Sequence, residues 1–258
     1  GDWQRSNSAA PRPMKRMFFS CFLLLSVVYS GEFKEVNIDG ISSTRILSVA
    51  QDSTGFVWIG TDDGLNRYDG FQNKVYRSDV FDEATISGNR IWKIHVDNSN
   101  TVWVLTDRGV CYYDALRDRF GRIETDSRPQ HIQDENNTLY VSTLNNGIYA
   151  INKETKAFKN YLFDPLDPFS ISSRKFSALQ AKTTAVNGDD LWIGTLNGLN
   201  KLNLKTGQAK RLYSNKTSYV KSDTITAILF VDKVLYVGTS RGLSLYVGNS
   251  GEPAQLGR

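Results

Sequence analysis

One motif recurs five times along this chain of 258 residues and limits what the chain can fold into. The first copy, Val57 to Asp69, reads VWIGTDDGLNRYD: an apolar run, a Thr-x-x-Gly turn and an alternating segment, typical of a tight β-hairpin. The other copies are Val102 to Asp114, Leu139 to Asn152, Leu191 to Asn203 and Leu235 to Val247. Their starts are 45, 37, 52 and 44 residues apart. A unit repeated at this period indicates a fold in which equal supersecondary units pack on each other.

Further alternating segments flank the hairpins. They are Ile46 to Asp52, Ile91 to Asp97 and Ile225 to Val231 upstream, and Gln72 to Arg77 and Gln208 to Tyr213 downstream. Four short strands per unit predict an all-β fold, a β-propeller of four-stranded antiparallel blades. About five repeats make this a partial or small propeller, and the sequence leaves open whether the ring closes. Phe33 to Ile38 is predicted to be a lone strand that completes the last blade.

Two positions of the motif have predictable structural roles. The glycine of the Thr-x-x-Gly turn is expected to adopt a positive φ, as a tight hairpin requires. These glycines are Gly64, Gly109, Gly198 and Gly242. The aromatic residue at the second motif position is predicted to pack between blades, and a sugar-stacking surface is the alternative. These aromatics are Trp58, Trp103, Tyr140, Trp192 and Tyr236.

A second repeated element precedes the first strand of four units. It reads ISSTRI at Ile41 to Ile46, ISGNRI at Ile86 to Ile91, ISSRKF at Ile171 to Phe176 and VKSDTI at Val220 to Ile225. We interpret these segments as crossovers between blades, which in a propeller emerge on the same face as the Thr-x-x-Gly turns. Arg45, Arg90 and Lys175 occupy equivalent positions there. A ring of such donors suits an anionic or hydroxyl-rich ligand, although pairing with neighbouring Asp residues is the alternative.

From this face we select eight candidate ligand-binding residues. Arginine can donate paired hydrogen bonds to a sulfate or carboxylate, and Asp and Asn can bind sugar hydroxyls. The candidates are Arg45, Asp63, Arg90, Arg108, Asn146, Arg174, Asn197 and Arg241.

The two ends of the chain differ in composition from the repeats. Residues 1–13 are polar and interpreted as an upstream scar, and residues 14–30 as a signal peptide, with a basic start and the apolar run Met17 to Tyr29. This predicts a periplasmic protein with propeller repeats at 31–248 and a tail at 249–258. The net charge is +4, but residues 1–30 supply +3 of it, so the body offers no basic surface for nucleic acid.

Side chains with catalytic or metal-binding chemistry are few. His95 and His131 lie on different units, and Cys111 is the one cysteine after the predicted signal peptide. Acid pairs such as Asp62-Asp63 stand in turns, where Asp favours local backbone hydrogen bonds. We therefore predict no catalytic residue, no metal and no cofactor, and a protein that is not an enzyme.

Gln51 to Gly70, QDSTGFVWIGTDDGLNRYDG, resembles the two-component-regulator propeller repeat. That repeat forms the periplasmic sensor part of hybrid histidine kinases from gut Bacteroidota. The crossover DPLDPFSISS, Asp164 to Ser173, adds to a resemblance that runs from about Phe33 to Val247. It implies a sensor of oligosaccharides released from polysaccharides. Complete members carry two seven-bladed propellers, an Ig-like domain, a membrane helix, a kinase core and a response regulator, so this chain is interpreted as a fragment or a truncated paralogue.

The resulting hypothesis is a ligand-sensing propeller module of a hybrid two-component system that binds an oligosaccharide. The alternative is a scaffold that forms a homodimer or docks on a membrane-anchored histidine kinase, without a small ligand of its own. A propeller enzyme acting on glycans is the third and least favoured hypothesis.

Overall fold

The computed structural model describes residues 35–182, 190–214, 220–231 and 234–247, with backbone only for residues 177–182 and 247. The predicted scar (1–13), signal peptide (14–30) and C-terminal tail (249–258) lie outside the described residues. The chain divides into the units Gly1–Asn37 and Ile38–Arg258, and every strand described below belongs to the second unit.

Short alternating segments separated by tight turns form five antiparallel sheets in chain order. The first sheet contains β1 (Ile46–Gln51), β2 (Val57–Thr61), β3 (Leu65–Tyr68) and β4 (Asn73–Tyr76). The second contains β5 (Ile91–Val96), β6 (Val102–Thr106), β7 (Gly109–Asp114) and β8 (Arg119–Glu124). The third contains β9 (Pro129–Glu135), β10 (Thr138–Thr143), β11 (Ile148–Asn152) and β12 (Phe158–Tyr161). The fourth contains β13 (Phe176–Lys182), β14 (Asp190–Thr195), β15 (Gly198–Asn203) and β16 (Ala209–Leu212). The fifth contains β17 (Ile225–Val231), β18 (Val234–Thr239) and β19 (Gly242–Val247).

The strands of each sheet pair in sequence order, as in a propeller blade. The first strand of every sheet contacts the first strand of the next: β1 with β5, β5 with β9, β9 with β13, and β13 with β17. The predicted β-propeller of about five units is therefore confirmed. The fifth sheet has three strands within the described residues. Of the predicted lone strand, residues 35–38 are not strand, and Phe33 and Lys34 lie outside the described residues.

The hydrophobic core lies between neighbouring sheets. Each of the four interfaces between consecutive sheets contains one cluster of buried side chains. The aromatic residue at the second motif position is at its centre: Trp58 and Trp103 are fully buried, and Tyr140 and Trp192 are 5% and 4% exposed. In these four sheets the predicted packing role is confirmed. Within the described residues, none of the four clusters joins the fifth sheet to the first.

Candidate functional site

The Thr-x-x-Gly turns are built around the threonine hydroxyl. Thr61 Oγ1 accepts the Asp63 N–H at 3.0 Å, donates to the Gly64 carbonyl at 3.0 Å and lies 2.8 Å from Ser42 Oγ in the crossover. Gly64 adopts a φ of +134°, as predicted. The crossover and the turn are thus held at one end of the sheet, which we call the crossover end.

The equivalent threonine hydroxyl organises each of the other four turns. Together the five turns place five of the eight predicted ligand-binding residues at equivalent positions. In each turn the threonine Oγ1 accepts a backbone N–H at 3.0–3.2 Å. The donors and acceptors are Arg108 and Thr106, Asn146 and Thr143, Asn197 and Thr195, and Arg241 and Thr239. The anchoring donor in each case is a backbone N–H group. The side chain at this position is therefore not required to hold the turn.

The crossovers are also equivalent between sheets. The carbonyl groups of Arg90, Lys175 and Thr224 each accept an N–H from the residue that follows the motif threonine, at 3.0–3.3 Å. The Arg128 carbonyl accepts the same bond from Leu144 at 2.8 Å. Arg128 therefore occupies the crossover position in the third unit, where sequence comparison did not find it.

The eight predicted residues share one end of the sheets, but they do not form one cluster. Arg45 lies 3.9 Å from Asp62, Asp63 pairs with Arg77 at 3.1 Å, and Asn146 donates to Asp126 at 2.9 Å. Asn197 donates to the Ser172 carbonyl at 3.3 Å. Arg108, Arg174 and Arg241 are exposed. Among the described side chains, no hydrogen bond or ion pair joins two of these eight residues.

Arg90 is the predicted residue that does belong to a cluster, and sequence reasoning missed its two partners. Trp92 lies on β5 at the register shift between Ile91 and Lys93. The guanidinium carbon of Arg90 is 4.2 Å from the centre of the Trp92 ring, and that of Arg128 is 4.5 Å from it. Arg90 Nε and Trp92 Nε1 are buried and have no hydrogen-bond partner. An aromatic ring with two guanidinium groups and two unused donors is suited to bind an acceptor with negative charge.

A sequence signal for Trp92 existed. The first strands of three units align as ILSVAQD, IWKIHVD and ITAILFV, and only the second has an aromatic residue at its second position. A β-bulge at that position redirects the side chain, which a periodicity analysis does not anticipate.

The groups with acid–base chemistry lie elsewhere. His95 Nε2 is 3.0 Å from Asp134 Oδ2, and Asp134 also accepts from Lys153 at 2.8 Å. Burial lowers the pKa of His131 and raises the pKa of the Cys111 thiol. Among the described residues, no three His, Cys, Asp or Glu side chains are arranged to hold a metal ion. No helix within the described ranges is long and apolar enough to cross a membrane.

A groove of about 710 Å³ lies on the outer strands of the fourth sheet, lined by Phe169, Asp190, Lys201 and Lys210 among others. Lys201 is the cross-strand neighbour of Trp192, as Arg67 is of Trp58. In the first sheet, Arg67 contacts Tyr113 and Asp118 of the second sheet. Beside the fourth sheet, the residues that follow β19 and would correspond to Asp118 lie outside the described residues. We therefore interpret the groove as part of the repeated contact between sheets.

Part of the first unit matches a known family of repeats. The family model "Two component regulator propeller" matches residues 40–63, which span the first crossover, β1, β2 and the first Thr-x-x-Gly turn up to Asp63. Residues 40–63 are thus similar to a two-component-regulator propeller repeat. This confirms the resemblance inferred from Gln51 to Gly70.

The proteins that this chain resembles are longer, and it spans less than two thirds of their length. Histidine kinase P4 of Formosa agariphila is 44% identical over 50 residues, which are 19% of this chain and 4% of the kinase. The extracellular domain of hybrid two-component system BT3049 from B. thetaiotaomicron superposes with a TM-score of 0.61 and 23% identity, covering 83% of this chain and 30% of that one. PorZ, a surface component of the type-IX secretion system of Porphyromonas gingivalis, has a TM-score of 0.56 and 17% identity, covering 82% and 33%. At these identities the structural likeness concerns the fold.

Proposed function

We propose that this chain is an extracytoplasmic ligand-sensing propeller module of a hybrid two-component system, and that it binds an oligosaccharide at the crossover end. The observation that carries the proposal is the equivalent anchoring of five turns by threonine hydroxyls. This anchoring presents polar side chains of varied chemistry, such as Asp63, Arg108 and Asn197, on one rigid end. Turns fixed by their own backbone are free to vary in side chain, as a recognition surface requires.

The similarity to histidine kinase P4 and to the extracellular domain of BT3049 supports the two-component context and the location outside the cytoplasm. The predicted signal peptide is consistent with that location. In this proposal the chain recognises the ligand, and the kinase reaction belongs to another segment or protein.

Thermal melts of the full chain against neutral, uronic-acid and sulfated oligosaccharides of matched length test this proposal. One glycan class should raise Tm in a concentration-dependent manner, because a ligand that binds only the folded state stabilises it. Arg108→Ala and Arg241→Ala, singly and together, should reduce that rise while leaving the ligand-free Tm unchanged, since the turn anchor is a backbone N–H group. Arg117→Ala, at the opposite end of the second sheet, is the matched control. A Tm that no glycan changes would contradict the proposal.

A protein-docking scaffold is the second candidate, and one observation favours it. The fifth sheet exposes an apolar face on which Leu229 is 55%, Leu243 52% and Tyr236 36% exposed. Faces of this kind are typical of protein interaction sites. Light scattering on the ligand-free protein separates the two candidates, because a stable oligomer that forms without any glycan supports the scaffold.

A further inference from the structure

We propose that Arg90, Trp92 and Arg128 form an oxyanion site, and that the oligosaccharide bound at the crossover end is acidic, with a carboxylate or a sulfate group seated on these three residues. The acidic-sugar part rests on the function proposed above. The oxyanion part rests only on the geometry of the cluster.

The first argument is charge. The two guanidinium carbons are each within 4.5 Å of the same ring centre, so they are at most about 8.7 Å apart, the sum of their two distances to it. No ion pair between described residues involves Arg90 or Arg128. Asp126, two residues before Arg128, accepts a hydrogen bond from Asn146, and Asp107, whose N–H donates to the Arg90 carbonyl, forms no ion pair with either arginine among the described residues. Two cations on one aromatic ring, neither of them in an ion pair, favour an anion beside them.

The second argument is hydrogen bonding. Arg90 Nε and Trp92 Nε1 are buried donors without an acceptor in the described structure. Buried donors are rarely left unpaired, because each costs the free energy of its lost hydration. An oxyanion supplies several acceptor lone pairs to one place and so can pair both donors while it neutralises the guanidinium groups. A sugar hydroxyl supplies an acceptor but no charge.

The third argument is that the fold does not need this cluster. The equivalent bulge position is Leu47 in the first unit and Thr226 in the fifth, and both sheets form with the same register shift. Arg45, the counterpart of Arg90, is 65% exposed and pairs with Asp62. Trp92 and its two arginines therefore occur together only at the junction of the second and third sheets, among the described units. A contact that maintains the fold would recur in every unit, whereas a binding site need not.

Titration calorimetry on the full chain tests the site with four probes of known composition. These are inorganic sulfate, an oligogalacturonide, a sulfated disaccharide, and a neutral oligosaccharide of matched length. The variants are Arg90→Gln, Arg128→Gln and Trp92→Phe, which remove a guanidinium charge or the indole donor and keep a polar or an aromatic side chain at the position. Arg117→Gln, which removes an equal charge from the β7–β8 turn, is the control, and a ligand-free melt of every variant verifies folding.

The two acidic sugars should bind more tightly than the neutral one. Each Arg→Gln variant should weaken them by about tenfold to a hundredfold, and Trp92→Phe by about fivefold, with Arg117→Gln unchanged. Acidic-sugar binding that is indifferent to all three variants overturns the oxyanion site and leaves the proposed function standing. Neutral sugars binding as tightly as acidic ones overturn the acidic-ligand inference. Sulfate binding that depends on Arg90 and Arg128, with no sugar bound, supports the oxyanion site and overturns the proposed function. No binding of any probe overturns both.

Discussion

A single carboxylate in the β7–β8 turn fastens the first sheet to the second. Asp118 Oδ1 accepts the hydroxyl protons of Tyr76 and Tyr113 at 2.6 Å each and lies 3.3 Å from Arg67, while Lys74 donates to Oδ2. Burial raises the pKa of Asp118, but the hydrogen bonds from Lys74 and the two tyrosines outweigh it and hold the pKa well below its usual range. Burial, followed by the bond to Asp118, raises the pKa of the Tyr76 hydroxyl.

Asp118→Asn should lower the free energy of unfolding by about 1 kcal/mol at neutral pH, because the neutral amide loses the charge-assisted bonds and the site is partly solvent-screened. Asn tolerates the φ of +51° at this position, so the change isolates the charge. The stabilisation by Asp118 is fully present above its unfolded pKa near 4 and is lost as pH falls through the lower folded pKa.

Urea unfolding at pH 7, 5, 4 and 3 measures this, and the difference between the wild type and Asp118→Asn should shrink below about pH 4. Tyr76→Phe completes a double-mutant cycle, in which the coupling to Asp118→Asn should be clearly non-zero. A difference that does not vary with pH, together with additive effects, would mean that the carboxylate charge is not what couples the two sheets.

At the scale of the elements, two arginines on outer strands hold the crossovers in place. Arg211 on β16 donates from Nε to the Ser170 carbonyl and from Nη2 to the Asp167 carbonyl, each at 2.7 Å. Arg122 on β8 makes the same bonds to Thr85 and Asp82 at 2.8 Å. The forked guanidinium reaches several carbonyl groups at once, which an ammonium group cannot reproduce. The DPLDPFSISS segment is thus shaped by an arginine about 40 residues downstream.

Arg211→Lys should therefore lower the free energy of unfolding by about 2 kcal/mol, since most of the charged bonds to backbone carbonyls are lost, among them those to the half-buried carbonyls of Ser170 and Ile171. Lys210→Ala, an exposed neighbour on the same strand, should change it by less than about 0.5 kcal/mol. Thermal and urea unfolding of both variants, with Arg122→Lys as a second example, make the comparison. Equal stability of Arg211→Lys and Lys210→Ala would show that these bonds contribute nothing.

The hairpins could be predicted from the sequence because their turns depend on adjacent residues. The cluster of Arg90, Trp92 and Arg128 could not, because it depends on contacts between distant residues. A turn such as Thr61 to Gly64 is determined by four adjacent residues, so its sequence identifies both its shape and its place in the repeat. Trp92 and Arg128 meet across two units, and the third unit begins only 37 residues after the second, without an ISxxR crossover. The crossover alignment that located Arg45, Arg90 and Lys175 therefore contained no matching segment around Arg128. The Asp118 and Arg211 contacts join distant strands in the same way.

At the scale of the whole sheet array, the first and last sheets expose the two halves of one repeated interface. Tyr236 on β18 stands where Trp58 and Trp103 stand, yet it is 36% exposed and they are fully buried. On β1, Ile46 and Val49 stand where Ile91 and Ile94 stand, and they are 50% and 58% exposed against 0% and 4%. Five sheets with four cores leave one face uncovered at each end of the array within the described residues.

This exposure predicts concentration-dependent, head-to-tail association, because the face that ends one array is complementary to the face that begins another.

Two substitutions on opposite faces of the fifth sheet test this association. Leu229 and Leu245 are both cross-strand neighbours of Tyr236, so all three share the uncovered face, whereas Val237 faces the fourth sheet and is 1% exposed. Leu229→Lys should reduce the weight-average mass measured by light scattering at high concentration and leave Tm unchanged. Val237→Lys, on the opposite face of the same hairpin, should lower Tm by several degrees or prevent folding, because it buries an unpaired charge in an existing core. A wild-type protein that stays monomeric at every concentration, with Leu229→Lys as destabilising as Val237→Lys, would show that the fifth sheet is covered in solution.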